Sequence, residues 1–366
     1  MLTSRRTFLA TTAAAAVATS AAPLASAATA TTTTAAKPVK RGHRIDALCY
    51  GDISADAVEH LLAGGMTAIG ADLSMWPREY DNAVRELGRW AARFNDPELQ
   101  LHCVREAADF DRAREAGKLG VVLTCQDATI IGNPNVDLDG VVSLFHQLGL
   151  RVLQLTHNQR THYGDAFMEK RDGGLSRAGE ELVQTMNQRR MIIDLSHCSR
   201  QTLFDTIAVS AQPPIVTHAG CRALANTARN KSDEEIRALG NAGGFFGIYH
   251  MTTWLTDGDT ATIDTLLAHI RHAVDLIGPK QVGFGSDGDI EKLDAAAEVQ
   301  RMGRVQKMHE GTPSAEWPVR HNRLAELNGP ERMKRLADAL SRHFDDETVD
   351  GIAGGNYVRY FQSVCG

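Results

Sequence analysis

Three histidines and one aspartate stand at the ends of short apolar runs along this sequence. His157, His197 and His218 each end or closely follow such a run, and Asp287 closes a fourth in Gly285-Ser286-Asp287. A lone histidine in this setting is more often a packed core or surface residue than a ligand. Four such residues after separate runs favour one shared site, because imidazole and carboxylate groups bind zinc and transfer protons.

The elements that would bring these residues together are strands that alternate with amphipathic helices such as Ala55–Ala63 and Leu175–Arg189. This alternation predicts a parallel α/β fold, and eight such units predict a closed (β/α)8 TIM-like barrel. The competing fold is an open doubly wound sheet, but no glycine-rich phosphate loop follows the first strand. The predicted strands are Arg44–Gly51, Met66–Ser74, Leu119–Asp127, Leu150–Asn158, Met191–Cys198, Pro214–Ala219, Gly243–Met251 and Gln281–Asp289.

In such a barrel the active site lies at the carboxyl ends of the strands. Gln126, His157, His197, His218 and Asp287 all fall at such ends, so we expect them around one mouth. Adjacent strands lie ~5 Å apart, which lets His197 and His218 reach the same ion. Zinc accepts imidazole nitrogen at ~2.0–2.1 Å, and Asp287 opposite could serve as the general base of a metal-assisted hydrolysis.

The amino terminus is typical of an exported protein. Ser4-Arg5-Arg6-Thr7-Phe8-Leu9 matches a twin-arginine motif, and an alanine-rich apolar run then leads to the cleavage site Ala25-Ser26-Ala27. We therefore predict a signal peptide over 1–27, a disordered Thr/Ala-rich leader over 28–40, and one barrel domain with a C-terminal helical extension over 41–366. The mature protein would be periplasmic or secreted. It would lack a transmembrane segment, since no later stretch approaches the ~20 apolar residues that a span needs.

The overall composition disfavours a nucleic-acid-binding protein and a thiol redox enzyme. The formal net charge is −6 and no basic stripe is present, which disfavours nucleic acid as a partner. The six cysteines form no CxxC motif, which disfavours a thiol redox enzyme. Trp76, after the second strand, is left open between lining the mouth and packing under its own loop.

Several blocks of the sequence resemble the membrane (renal) dipeptidase family. The resemblance runs from about Arg44 to Phe361 and implies a barrel of the metallo-dependent hydrolase type that uses zinc to cleave dipeptides, often with a D-residue on the C-terminal side. The blocks are Leu155-Thr156-His157-Asn158, Gly174-Leu175-Ser176 with Ile192-Ile193-Asp194-Leu195-Ser196-His197, Thr217-His218 with Ala228-Arg229-Asn230, Val282-Gly283-Phe284-Gly285-Ser286-Asp287, and Gly354-Gly355-Asn356 with Arg359.

The resemblance also implies a role for individual residues. His197 and His218 match the ligands of the family's second zinc, and Asp287 matches its catalytic aspartate. His157 and Arg229 match residues that hold the substrate's carbonyl, tetrahedral oxygen or C-terminal carboxylate. These roles suit the side chains, because guanidinium binds carboxylate in a bidentate manner and a neutral imidazole can donate to an oxyanion.

The first metal site of the family is not preserved here. Its Asp-Gly-His-x-Asp motif reads Asp46-Ala47-Leu48-Cys49-Tyr50, which puts Leu48 and Tyr50 at the two ligand positions. Gln126 stands where the family has a bridging glutamate, and a neutral amide oxygen is a poor substitute for that carboxylate. In a regular strand Cys49 points away from the mouth. A bulge that would bring Cys49 or Asp52 inward is an exception to the ladder.

These departures predict at most one zinc ion, at His197 and His218, or none, with Gln126 and Tyr50 contacting the substrate. Three functions then stay open. The first is an exported dipeptidase-like hydrolase acting on a dipeptide or a small peptide-like substrate. The second is a peptide-tailoring isomerase or lyase on the same scaffold, and the third is a non-hydrolytic small-peptide-binding protein. The exact substrate and the oligomeric state stay open, with a homodimer as one option.

Overall fold

Parallel strands form the centre of the structure, a computed structural model that describes residues 42–73, 77–132, 137–257, 260–292, 294–308 and 322–366. The predicted signal peptide, the predicted leader and Trp76 lie outside these residues. The strands are β1 (Ile45–Tyr50), β2 (Ala68–Asp72), β3 (Leu101–Cys103), β4 (Leu119–Cys125), β5 (Leu150–Gln154), β6 (Ile192–Asp194), β7 (Ile215–Ala219), β8 (Phe245–Ile248), β9 (Val282–Phe284) and β10 (Gly288–Asp289).

The strands follow one another around a barrel in chain order. Neighbouring strands pair in parallel along the series β1, β2, β4, β5, β6, β7, β8, β9. At the other end of the series, β10 pairs in parallel with β1. Residues 282–289 therefore pair with β8 at their start and with β1 at their end, which closes the barrel. The predicted (β/α)8 TIM-like barrel is confirmed. The sequence analysis missed β3, a three-residue strand beside the start of β4 that is too short to show a periodic pattern.

Helices follow most strands, and several begin after a residue whose side chain accepts one of the first backbone N–H groups. Ser54 accepts the N–H of Ala57 at the start of α1, and Ser199 accepts that of Thr202 at the start of α6. In the described part of the chain, no helix combines the length and the apolar character needed to cross a membrane. The helices are α1 (Ala55–Ala63), α2 (Tyr80–Asn95), α3 (Ala108–Glu115), α4 (Leu138–Gln147), α5 (Arg177–Gln188), α6 (Arg200–Val209), α7 (Asp233–Asn241), α8 (Thr252–Leu255), α9 (Ile263–Ile277), α10 (Ala295–Met308), α11 (Arg332–Leu340), α12 (Asp346–Ile352) and α13 (Gly355–Cys365).

The buried apolar side chains form two layers. The outer layer joins the strands to the surrounding helices and includes Ile69 and Leu153. The inner layer lies within the barrel, where Val122 and Phe245 pack with Phe361 of α13. Helix α13 therefore closes the end at which the strands begin, and the mouth formed by the carboxyl ends of the strands lies at the other end.

Strand β1 is not regular, which corrects one expectation from the sequence. Asp46 pairs with Ile69, but Cys49 pairs with Ala71, so β1 contains one residue more than β2 between these pairs. Such a bulge changes which residues face inward. Cys49 nevertheless packs in the outer layer with no exposed surface, and Asp52 is exposed. The bulge therefore does not bring Cys49 into the mouth.

Candidate metal and peptide site

Two histidine rings meet edge to edge in the barrel mouth. His197 directly follows β6, His218 belongs to β7, and their Nε2 atoms are 3.0 Å apart. The ring of His157 stacks on that of His197 with 4.4 Å between centroids. Asp287, between β9 and β10, places Oδ1 3.9 Å from Nε2 of His218. The structure thus brings together four of the residues that the sequence assigned to one site.

A bulge positions His218. Strand β7 contains one residue more than β8 between the pairs that flank Thr217 and His218. In a regular strand two consecutive side chains point to opposite faces. Here the Thr217 hydroxyl and the His218 ring are both fully buried and lie 2.7 Å apart. The bulge therefore directs both side chains into the same network.

Hydrogen bonds determine which nitrogen of His218 carries a proton. The Thr217 hydroxyl donates to Asp194 at 2.5 Å, so it can only accept from Nδ1 of His218 at 2.7 Å. Asp194 is held in place because it also accepts the backbone N–H and the hydroxyl of Ser196. With its proton on Nδ1, His218 presents the lone pair of Nε2 to the mouth.

His197 is oriented in the same way from the other side. Its Nδ1 lies 3.0 Å from Oδ1 of Asn158, an acceptor, and its backbone N–H donates to Gln154 at 3.1 Å. Nε2 of His197 then also carries a lone pair. Burial and the nearby charge of Arg229 lower the pKa of both histidines well below the ordinary value, so both rings are neutral at neutral pH.

The donor atoms of this pair fit one cation. Two lone pairs 3.0 Å apart repel each other unless a proton or a metal ion lies between them. Two nitrogens bound to one zinc at ~2.0–2.1 Å are separated by about 2.9–3.4 Å at bond angles from about 90° to about 110°. Within the described ranges, no group of three or more His, Cys, Asp or Glu side chains is arranged to hold a metal. The separation of the ring nitrogens of His197 and His218 lies within the range that two ligands of one zinc ion require.

Asp287 reaches the mouth from a strained backbone. Its φ is +52°, a left-handed conformation that aspartate tolerates better than most residues but that still costs free energy. Its N–H donates to the carbonyl of Leu48 at 3.0 Å, and the N–H of Ser286 donates to Asp46 at 2.7 Å. These bonds from β1 hold the strained residue, and such strain is typical of functional positions.

Arg229 is buried behind the two histidines, with 1% of its surface exposed. Its Nη1 donates to the carbonyl of Ser196 at 2.6 Å and its Nη2 to that of His218 at 3.0 Å. The guanidinium therefore ties the end of β6 to the end of β7. Its buried Nε has no hydrogen-bond partner among the described residues.

The half of the mouth nearest β1 differs from what a metal site needs. Leu48 is fully buried and offers no ligand atom. The hydroxyl of Tyr50 accepts a hydrogen bond from Nη2 of Arg323, a buried cation. The side-chain oxygen of Gln126 is buried with no partner among the described residues, and its backbone N–H donates to Asp72 at 3.1 Å. These residues do not fit a first metal ion.

Three residues of the mouth were missed from the sequence. Asp72 ends β2 and His250 follows β8, so both lie at the carboxyl ends of strands, as the other site residues do. That position in the sequence could have identified them as residues of the mouth. The ring of His250 lies so close to Gly288 that a Cβ added there would come 2.6 Å from Nε2. Arg323 comes from the segment after α10, far from any strand end, and nothing in its sequence context indicates the mouth.

Comparison with known proteins gives consistent matches. The sequence model of the family described as "Membrane dipeptidase (Peptidase family M19)" matches residues 84–305. The dipeptidase verJ of Clonostachys rogersoniana is 35% identical over 277 residues, which cover 74% of this chain and 61% of that protein. The dipeptidase tcpJ of Claviceps purpurea is 31% identical over 273 residues, which cover 72% of this chain and 56% of that protein. The chain thus spans little more than half the length of these relatives.

Solved structures share the fold. An amidohydrolase from Pseudomonas aeruginosa superposes with a TM-score of 0.79 at 27% identity, over 88% of this chain and 96% of that one. A metallo peptidase from Rhodobacter sphaeroides, solved with a phosphinate mimic of the dipeptide L-Ala-D-Ala, gives a TM-score of 0.69 at 17% identity, over 88% of this chain and 99% of that one. At that identity the second likeness concerns the barrel alone.

Proposed function

The chain belongs to the membrane dipeptidase family, and on that premise we propose that it hydrolyses a dipeptide or a small peptide-like substrate with at most one zinc ion. The observation that carries this proposal is the pair of facing Nε2 atoms of His197 and His218, 3.0 Å apart. Both rings are neutral and both are oriented by hydrogen bonds at Nδ1, as metal-binding histidines commonly are.

The chemistry divides between the bound ion and the chain. His197 and His218 would hold a zinc ion, which would supply Lewis-acid polarisation of the scissile carbonyl. Asp287 takes the proton of the attacking water as the new C–O bond forms. It then passes that proton to the leaving amine nitrogen as the C–N bond breaks. Its position, 3.9 Å from Nε2 of His218, supports this role.

Four residues would hold the substrate. The buried oxygen of Gln126 would accept an N–H of the substrate, which would satisfy an otherwise unpaired acceptor. His157, half-buried and stacked on His197, would donate to the developing oxyanion. Arg229 would bind the C-terminal carboxylate through Nε alone, because both of its Nη atoms donate to backbone carbonyls. Tyr50 would contact the substrate from the side of β1.

Metal analysis combined with a cleavage assay tests this function. The full chain is dialysed, its zinc content is measured by elemental analysis, and amine release is followed for dipeptides with an L- or a D-residue at the C-terminus. We expect no more than one zinc per chain and cleavage that chelators abolish. His197→Ala should lose both, whereas His102→Ala, a partly exposed histidine on β3, should lose neither. Zinc-loaded protein that cleaves no dipeptide of either series would overturn the proposal.

A second candidate is a non-hydrolytic peptide-tailoring enzyme, an isomerase or a lyase. The loss of carboxylate at Gln126 favours it, because the family's bridging charge is missing from the mouth while Asp287 is kept. The same incubations distinguish it. A product of unchanged mass but altered chirality, or one formed by elimination without added water, would indicate this class. Calorimetric binding of a dipeptide without turnover would indicate a binding protein instead.

We also propose export of the folded protein by the twin-arginine route, with cleavage after Ala27. The Arg5-Arg6 pair and Ala25-Ser26-Ala27 support it. Replacing both arginines by lysine should keep the protein in the cytoplasm. Exported protein whose amino-terminal sequence begins at Met1 would contradict the cleavage.

A further inference from the structure

Arg323 is a buried cation in the half of the mouth next to β1. Two per cent of its surface is exposed. Its Nη2 donates to the Tyr50 hydroxyl and lies 3.3 Å from Oδ2 of Asp289. Its Nη1 lies 3.1 Å from Oε1 of Glu298, a carboxylate with no exposed surface. The arginine therefore links the end of β1, β10 and helix α10.

Three carboxylates converge on this guanidinium. Asp289 and Glu298 contact it directly, and Asp287 is close enough to act on it electrostatically. Buried carboxylates repel one another and are costly to bury unless a positive charge compensates them. Arginine keeps its charge in a protein interior. The half of the mouth next to β1 thus contains a permanent positive charge that no exchangeable ion supplies.

We propose that the Arg323 guanidinium is the resident cation of this half of the mouth and replaces the family's first metal ion. Two features of the chain support the replacement. Tyr50, at one of the two lost ligand positions, now hydrogen-bonds the guanidinium. A dication placed beside a buried guanidinium would face repulsion that no bridging carboxylate offsets, because Gln126 is neutral.

If Arg323 replaces the first metal ion, restoring the lost ligands is not sufficient for a second zinc ion to bind. Restoring ligands with Leu48→His, Tyr50→Asp and Gln126→Glu leaves Arg323 in place, so this triple variant should hold no more zinc than the natural chain. Adding Arg323→Met removes the competing charge. The quadruple variant should then retain one further equivalent of zinc.

Elemental analysis of the dialysed proteins decides between these outcomes. A gain of one zinc equivalent on passing from the triple to the quadruple variant supports the proposal. A triple variant that already gains the second zinc overturns it, as does a quadruple variant that folds, shown by circular dichroism, and gains none. The measurement uses no substrate, so a failure of the proposed dipeptide cleavage would leave it unaffected.

A single substitution gives an independent test if the multiple variants do not fold. Arg323→Met should lower the melting temperature, because it removes a buried positive charge that acts on three carboxylates, and Mn²⁺ should restore part of the loss. Mn²⁺ suits carboxylate oxygen, and a ligand that binds only the native state raises the melting temperature. A purely structural ion pair would lose stability without this rescue.

Arg332 supplies the matched control. It is equally buried and binds the carboxylate of Asp46 at 2.7 Å, outside the mouth. Arg332→Met should therefore be destabilised without rescue by Mn²⁺. Rescue of both variants to the same extent, or of neither, would overturn the assignment of Arg323 as a replacement for a metal ion.

Discussion

Each half of the barrel mouth contains a buried guanidinium, but Arg229 donates to backbone carbonyls behind the two histidines, whereas Arg323 contacts carboxylates. In one half, neutral His197 and His218 direct two lone pairs at one point, which an exchangeable cation can occupy. In the other half, the guanidinium of Arg323 is bound to Tyr50 and to carboxylates. Buried carboxylates in the mouth require a compensating positive charge. Where metal-ligand positions are lost, an arginine side chain can supply that charge.

The largest effect is expected at Asp287, which lies between the two halves. Asp287→Asn should lower kcat by about 10²–10⁴-fold, the usual contribution of a general base, and leave the zinc content unchanged. Asp289→Asn is the matched control, because Asp289 pairs with Arg323 rather than with the histidines. We expect less than a tenfold loss of kcat there. Equal losses in the two variants would place the proton transfer elsewhere.

Substitutions in the two halves of the mouth should differ in their effect on zinc affinity. His218→Ala should weaken zinc binding by more than about 100-fold, since loss of an outer-shell partner alone costs about 10–100-fold. Tyr50→Phe, which removes only a hydroxyl that contacts Arg323, should leave zinc affinity as it is. Titration with zinc in a calorimeter measures both. A fall in zinc affinity with Tyr50→Phe would show that the halves share one ion.

The hydrogen bond behind His218 should have an intermediate effect. Thr217→Val removes the acceptor for Nδ1 and should weaken zinc binding by about 10–100-fold. Thr156→Val makes the same change at another fully buried threonine, whose hydroxyl contacts Cys198 and neither histidine. Zinc affinity should be unchanged in that variant. A similar loss in both would indicate general destabilisation.

The smallest effect is expected at Gln126. Gln126→Leu should raise KM by about 2–12-fold with little change in kcat, which corresponds to one hydrogen bond of about 0.5–1.5 kcal/mol. The exposed Gln147→Leu on α4 is the control. Steady-state kinetics on the same dipeptide measures both, and an unchanged KM for Gln126→Leu would remove Gln126 from the substrate site.

Much of the barrel was predictable because its signals are local. Each of the eight predicted strands contains an observed strand or, for Gln281–Asp289, two short ones. Buried parallel strands appear in a sequence as apolar runs. The active-site residues of a barrel lie at the carboxyl ends of those strands, so His197 and His218 could be placed at one mouth. β3 was missed because three residues are too few to form a pattern.

The direction of individual side chains could not be obtained in this way. The bulges in β1 and β7 are defined by pairing with β2 and β8, and alternation within one strand does not reveal them. The expectation of a regular first strand was wrong for this reason. The bulge at Thr217 and His218 is also what joins His218 to Asp194 through a hydroxyl.

The sequence by itself determined the barrel and the family, and its resemblance to that family predicts the loss of ligands at Leu48, Tyr50 and Gln126. Only the tertiary structure decided what replaces them. Arg323 lies 34 residues beyond Asp289 along the chain, in a segment without strand periodicity, yet the fold brings its guanidinium to the end of β1. Compensation of a buried charge depends on the distance between the charged groups in space, which a sequence does not show. The cation in this half of the mouth can therefore be identified only from the folded structure.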